Sequence, residues 1–487
     1  MKRYKRLWIL VGVLCVASIA TVAVTQYQEK KEEIAVSGET ILSIAADDIQ
    51  SLSWEYEDQS FSFHREGEGW MYEGDETFPV SSESIQLLLE PFAELGAAFT
   101  IQSPEDLGQY GLDNPTCTID LSTGEESWTI LLGDFSTMDS QRYLSMGDGN
   151  VYLVTHDPLE EFDAQLSELI DHDDLPYFTR ANSIQFSGET AYSIEYQEES
   201  ADTYREDDRY FTQQDGRNQP LDTSLVEGYL RAVSTLDLSD YVTYNATEED
   251  LAQYGLDTPQ LIVQIVYPKE DEEGNETEAT FQLSVSRDPE ELAAAQETEE
   301  SSSQEMEEEE ASSQSAEEGE AETEEEAITA YVRVGESPIV YQITGEEYES
   351  LMAASYDDLR HREVLPAETG NLSQLDISLE GADYSITSEG EGEDRVYSYE
   401  EEELDIQELL NALAALEVDH FTSEAPTQKE EISLTAHLDL EGEPTVSIQL
   451  YRYDGDSCLA VVDGTSVGLV PREQVVDLIE TVNAIVL

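Results

Sequence analysis

The sequence predicts an α+β protein: an N-terminal transmembrane helix followed by about three repeated modules, each an antiparallel sheet with packed helices. Three observations predict it. An uncharged apolar run follows a basic N-terminus; a fourteen-residue segment recurs without gaps 144 positions further on; and three separate stretches share the order strand, tight turn, strand, polar cap, helix. At 487 residues the chain is too long for one compact core, so several modules are expected.

The first element is the N-terminal helix. Met1 to Arg6 carries four basic residues, and Leu7 to Val24 then reads LWILVGVLCVASIATVAV without a charge. Eighteen helical residues span about 27 Å, close to the hydrocarbon thickness of a bilayer. A basic flank on the N-terminal side predicts a cytoplasmic N-terminus and an exported body. Trp8 and Tyr27 bracket the run as interfacial aromatics do. A cleaved signal peptide would have a shorter apolar region ending in a small-x-small site, and Val22-Ala23-Val24 is a poor match. Leu14 precedes Cys15, which argues against a lipoprotein. The expected layout is a cytoplasmic tail at 1–6, a single-pass signal-anchor at 7–26 and a linker at 27–40, with an extracytoplasmic body at the cell membrane.

The body divides as module one at 41–172, module two at 173–360 and a degenerate module three at 361–487. Ser103 to Thr116 reads SPEDLGQYGLDNPT, and Thr247 to Gln260 reads TEEDLAQYGLDTPQ. Ser103 and Thr247 suit helix N-caps, with Asp106 and Asp250 three positions on. Gly111 and Gly255 suit the left-handed residue that ends a helix, Leu112 and Leu256 its closing apolar contact, and Pro115 and Pro259 forbid continuation. Tyr110-Gly111-Leu112-Asp113-x-Pro115 and Tyr254-Gly255-Leu256-Asp257-x-Pro259 therefore read as helix stops feeding a strand. A direct ligand role for Asp113 or Asp257 is the weaker reading, since capping accounts for every residue.

Amphipathic helices precede each stop. The first carries Ile85, Leu88, Leu89, Phe92 and Leu95, with Pro91 implying a kink or an early end. The second carries Leu225, Tyr229, Leu230, Val233 and Leu236, and a third Leu409, Leu410, Leu413 and Leu416. These stripes are core faces. Leu52 to Glu57 and Ser60 to Arg65 alternate as a hairpin, and Cys117 to Leu121, Ser127 to Leu132, Arg142 to Met146 and Val151 to Val154 read as strands. The module ends RYLSMGDGNVYLVTHDPLEEF, AYVRVGESPIVYQITGEEYESL and CLAVVDGTSVGLVPREQVVDLI superimpose.

Charge bounds the partners. Lys and Arg total 22 against 110 Asp and Glu, a formal net charge of −88. Such a field repels phosphate backbones and excludes nucleic acid. It leaves basic partners and weak, unspecific cation binding. The acids peak in an insert at 287–327, where Pro289 to Glu326 holds seventeen acids and no Lys or Arg. That composition predicts disorder. No calcium-loop spacing is present.

No catalytic constellation, cofactor fingerprint or metal spacing emerges. His64, His156, His172, His361, His420 and His437 are scattered and read as solvated or structural. Cys117 and Cys458 read as buried small hydrophobes. Gly464-Thr465-Ser466-Val467-Gly468 matches the nucleophile elbow of hydrolases, but no histidine follows and the repeat places it in a hairpin turn. Paired carboxylates cannot be singled out among so many acids, so an envelope hydrolase is unsupported.

An anchor, sheet-and-helix repeats and a twice-occurring YGLD-x-P stop together resemble a bacterial family catalogued as domain of unknown function four-three-four-zero. The resemblance covers Ile41 to Leu359 well and the remainder more weakly. It implies an envelope protein encoded near ABC-type transporter permeases and auxiliary proteins similar to those of gliding-motility export systems, and it supplies no catalytic residues. The acidic insert and the missing third motif depart from the family pattern. The expected function is a non-catalytic accessory or scaffold partnered by a permease or auxiliary subunit. The alternatives are a surface binding or adhesion module for polymer or cations, and an envelope hydrolase.

Overall fold

The computed structural model describes residues 38–294 and 328–486, apart from 215, 272, 391–394 and 401. The anchor expected at 7–26, Cys15 and most of the acidic insert lie outside the described residues. Among the described residues no helix is long and apolar enough to cross a membrane. The chain divides into two compact units, Met1–Asp173 and Asp174–Leu487.

The first unit holds one antiparallel sheet. Its strands are β1 (Glu39–Leu42), β2 (Ser51–Tyr56), β3 (Gln59–Glu66), β4 (Gly69–Tyr72), β5 (Leu95–Gln102), β6 (Cys117–Ser122), β7 (Ser127–Ser136), β8 (Gln141–Ser145) and β9 (Asn150–Val154), in the order β1-β5-β9-β8-β7-β6-β2-β3-β4. Alternation sets the faces. Leu52 and Trp54 of β2 are buried, while Glu55 between their row and the turn is exposed. Trp54 stacks on Phe63 with centroids 5.6 Å apart and receives Phe162 edge-on at 5.3 Å. Each such pair adds about 0.5–1.5 kcal/mol beyond area burial.

The second unit holds two sheets. One comprises β10 (Ser183–Gly188), β11 (Tyr192–Tyr196), β12 (Tyr210–Gln214), β13 (Arg217–Pro220), β14 (Tyr241–Thr243), β15 (Leu261–Glu270), β16 (Glu276–Arg287), β17 (Ala330–Val334) and β18 (Val340–Ile343), ordered β13-β12-β11-β10-β15-β16-β17-β18-β14. The other comprises β19 (Leu372–Leu379), β20 (Ala382–Glu389), β21 (Val396–Tyr399), β22 (Glu402–Leu404), β23 (His420–Phe421), β24 (Glu430–Leu438), β25 (Thr445–Arg452), β26 (Ser457–Val462) and β27 (Thr465–Pro471), ordered β22-β21-β20-β19-β24-β25-β26-β27-β23. These two orders are the same plan. The first sheet follows it too, along β4-β3-β2-β6-β7-β8-β9-β5, but lacks a fourth strand in its opening meander and adds β1 beyond β5.

Helices complete the layers. They are α1 (Ser82–Leu89) and α2 (Leu159–Phe162) in the first unit, and α3 (Thr223–Ser234), α4 (Glu248–Gln253), α5 (Gly345–Met352), α6 (Tyr356–Leu359), α7 (Gln407–Ala414) and α8 (Arg472–Val486) in the second. Ser81 caps α1 by accepting from the Ser84 amide. Pro91 ends that helix in a 3₁₀ turn over Glu90–Phe92, and Leu95, expected on the helical stripe, instead opens β5. In α3 the buried stripe is Val226, Tyr229, Leu230 and Val233; Leu225, expected there, is 39% exposed, and Leu236 lies past the end. In the third sheet Leu409 and Leu413 of α7 and Val475, Leu478 and Val482 of α8 pack on Leu375, Ile377, Leu434 and Ile448.

Two expectations meet local chemistry. Disorder was expected from Pro289, but residues 289–294 are helical. Asp288 caps that turn, its Oδ1 accepting from the Glu290 and Glu291 amides, and Glu291 Oε2 accepts from the Thr329 amide. Capping and a proline at the first helical position outweigh composition there. Gly464 to Gly468 lies at a hairpin: Asp463 and Gly464, with φ of 49° and 78°, link β26 to β27, and Val462 pairs Thr465. That is a two-residue turn of the primed type, with no strand-to-helix elbow.

Candidate functional site

The repeated stop is seated on a strand of its own sheet. In the second copy Thr247 caps α4, accepting from the Asp250 amide while Asp250 Oδ2 accepts from the Thr247 amide. The helix ends with Gly255 at φ 70°, the Leu256 amide donating to Leu251 O at 2.7 Å and the Gly255 amide to Ala252 O at 3.3 Å. That pair of bonds is a Schellman end. The first copy closes alike, with Gly111 at φ 71° and Leu112 N donating to Leu107 O at 3.2 Å. It starts differently. Ser103, expected as an N-cap, has φ 48°, and only a 3₁₀ turn, Gly108–Tyr110, forms. Glycine at 108 weakens the helix where the second copy has Ala252. Asp106 meanwhile accepts from the Gly108 amide, forming a local turn.

The seat explains the motif residue by residue. Tyr110 lies against Tyr143 of β8 with ring centroids 5.0 Å apart, and Tyr254 lies against Tyr331 of β17 at 4.7 Å. Leu112 and Leu256 are buried. A Cβ on Gly133 of β7 would stand 2.1 Å from Tyr110 O, so the loop backbone rests directly on that strand. A Cβ on Gly111 would meet Asp134, and one on Gly255 would meet Ser286 Oγ at 2.7 Å. After Pro115, the Thr116 amide enters sheet pairing by donating to Leu132 O; after Pro259, Gln260 O accepts from the Glu189 amide. Asp113 turns back toward Gly108, and Asp257 accepts from the Thr258 hydroxyl at 3.3 Å. Among the described residues no group of three His, Cys, Asp or Glu is placed to hold a metal.

Among the described residues, a larger cluster of paired charges lies elsewhere, where the second and third sheets join within the second unit. His361 Nε2 is 2.8 Å from Asp208 Oδ1, and its Nδ1 is 3.6 Å from Glu363 Oε2 and 3.8 Å from Asp222 Oδ2. The Asp208 side chain is 1% exposed, and its other oxygen accepts from the Thr203 hydroxyl. Arg205 lies 3.4 Å from Glu363 and donates to Leu365 O at 3.2 Å. Burial pulls His361 down, but the hydrogen bond and charge of Asp208, with the Glu363 carboxylate 3.6 Å away, outweigh it and raise the imidazole to about 9. The protonated His361 beside it holds Glu363 down at about 2, against burial.

Sequence reasoning missed this cluster. Asp208 and His361 are 153 positions apart, and no local spacing announces their pairing. Three more histidines sit on carboxylates: His64 with Glu73, His156 with Glu161, and His437 with Asp376. Cys117 and Cys458 are buried and free.

A sheet plan used three times, a loop that serves its own sheet and a charge cluster at a sheet-to-sheet joint define a tandem α+β repeat protein. The model of the family described as Domain of unknown function (DUF4340) matches the chain at residues 70–212, 211–299 and 321–436. These matches cover more than half of the chain, and the protein belongs to that family. The matched frames straddle the sheets, the first opening in β4 and closing in β12. No curated protein and no solved structure matches the chain.

Proposed function

We propose that the protein is a membrane-anchored, extracytoplasmic accessory or scaffold subunit of an ABC-type transport system and that it is non-catalytic. The observation that supports this reading is how the chain uses its length. It repeats one sheet plan three times, and a cluster of ion pairs joins two of those sheets. The apolar run at Leu7 to Val24, behind four basic residues, supports the anchor. Purification of the full chain from membranes in mild detergent tests the proposal. A permease or auxiliary subunit should accompany it. Recovery of the chain alone, under conditions that keep other envelope complexes intact, overturns it.

A second reading, a surface module for polymers, draws on the third sheet. Its open face carries a shallow cleft of about 380 Å³ whose lining includes Ser385, Ser433, Thr435 and Gln449 together with the carboxylates of Asp376 and Asp383. Rows of hydroxyls and amides of this kind suit a polyhydroxylated chain. Calorimetry against soluble glycan and peptidoglycan fragments decides it, a flat response removing the reading.

A further inference from the structure

Residues 360–367 form a strap between the second and third sheets. Toward the third sheet the Val364 amide donates to Leu416 O and the Val418 amide to Arg362 O. The Arg360 guanidinium lies over the Phe421 ring, 3.4 Å from its centroid. Toward the second sheet Ala367 bridges Tyr204, and the Asp222 amide donates to Leu359 O. Beside the strap lies a cleft of about 1000 Å³ with walls from both sheets. Glu198, Tyr204, Arg205 and Asp208 come from the β11–β12 loop, and Leu440 and Glu441 from the β24–β25 turn. Arg205 and Asp208 thus belong both to the wall and to the His361 cluster.

We propose that His361 is a protonation latch on this cleft: charged, it holds the second and third sheets together across the strap, and neutral, it lets the cleft widen. Four groups face it. Asp208 comes from the β11–β12 loop, Asp222 from the cap of α3, Glu363 from the strap itself, and Arg205 stands behind Glu363. Three carboxylates against one guanidinium favour imidazolium. Loss of its proton leaves Asp208 as a buried carboxylate without a cationic partner, which a folded interior tolerates poorly. Asp208 and Asp222 move with the second sheet, and Glu363 is tied to the third by its bridge to Glu417. Separating them is the motion that relieves the strain. The proton acts in the alkaline range, because the imidazole sits at about 9 rather than at its usual 6.5.

The test uses the full chain with Cys15→Ser and spin labels at Ala201→Cys and Glu441→Cys on opposite walls, the native Cys117 and Cys458 being buried. At about pH 7 one short separation is expected. It should lengthen by a few ångström as pH rises, with a midpoint near 9. His361→Gln should show the long separation at about pH 7 and no pH response. His437→Gln breaks a His–Asp pair within the third sheet alone and should keep the wild-type curve. An unchanged wild-type separation from about pH 7 to 10 overturns the latch, as does a His361→Gln protein that still follows the wild-type curve. Should His361→Gln fail to fold, the wild-type titration decides, with Glu363→Gln expected to lower its midpoint.

Discussion

Arg142 grips Asp157, its Nε lying 2.7 Å and 2.9 Å from the two carboxylate oxygens, and its Nη1 donates to Gly133 O at 2.7 Å. The two side chains are 11% and 10% exposed. Gly133 is the residue on which the Tyr110 backbone rests. A pair joining β8 to the start of α2 thus also fixes the strand beneath the first stop loop. Breaking a buried pair strands a charge, at a cost of about 3–5 kcal/mol. Arg142→Ala should destabilise the first unit by that amount in denaturant unfolding. A loss below about 1 kcal/mol would show the pair to be effectively solvated.

The left-handed stop at Gly111 should be intolerant of a side chain. Gly111→Ala adds a Cβ at positive φ and presses it within 2.8 Å of the Asp134 backbone nitrogen. Gly67→Ala adds one at a similar φ of 65° with nothing within 4 Å. We expect Gly67→Ala to cost about 1 kcal/mol and Gly111→Ala at least about twice that. Equal thermal shifts for the two variants would mean the loop lifts off its strand freely.

The two described thiols should be silent in the native protein. Burial pushes Cys117 up to about 12 and, with Glu431 adding to it, Cys458 to about 11. Thiolate, the reactive form, is then scarce at ordinary pH. A thiol reagent at about pH 8 should modify both only after denaturation. Mass-mapped labelling of either in the folded chain would contradict the buried seat.

Glu363 gives the second unit an acid-sensitive component. Its folded carboxyl is at about 2 against an ordinary 4.5. A lowered carboxyl stabilises fully above its unfolded value, and that share is lost as pH falls toward its folded value. Acid unfolding should therefore draw on Glu363 between pH 4.5 and about 2. Glu363→Gln should flatten the stability profile in that window and leave the first unit unchanged. Parallel profiles for variant and wild type would refute the assignment.

Much of the fold was legible in the sequence because its signals are local. The hairpin of β2 and β3 follows from alternation, and the stop at Tyr254 to Pro259 from the left-handed preference of one glycine and the stiffness of one proline. Where tertiary context decides, the sequence misleads. Leu95 carries a helical phase but joins a strand, since Pro91 has already ended the helix. Leu225 yields its place to Val226, which shares the buried face of α3 with Tyr229, Leu230 and Val233. The common plan of the sheets was only half visible, as pairings such as β10 with β15 link residues far apart in the chain. The His361 cluster was invisible for the same reason: its carboxylates come from three segments, and 110 acids offer every histidine a partner by chance.

The equivalence of the β7–β8, β16–β17 and β25–β26 connections has a practical side. Only the middle one carries a long excursion, between Arg287 and Ala330. The first is a short tip on which Met138 is 91% exposed, and the third turns at Asp454 to Asp456. Natural tolerance at one tip marks its counterparts as grafting points. A fluorescent or affinity cassette spliced beside Met138 or Gly455 should leave the ladders intact, giving the chain a handle for each end that its strand edges and joint never feel.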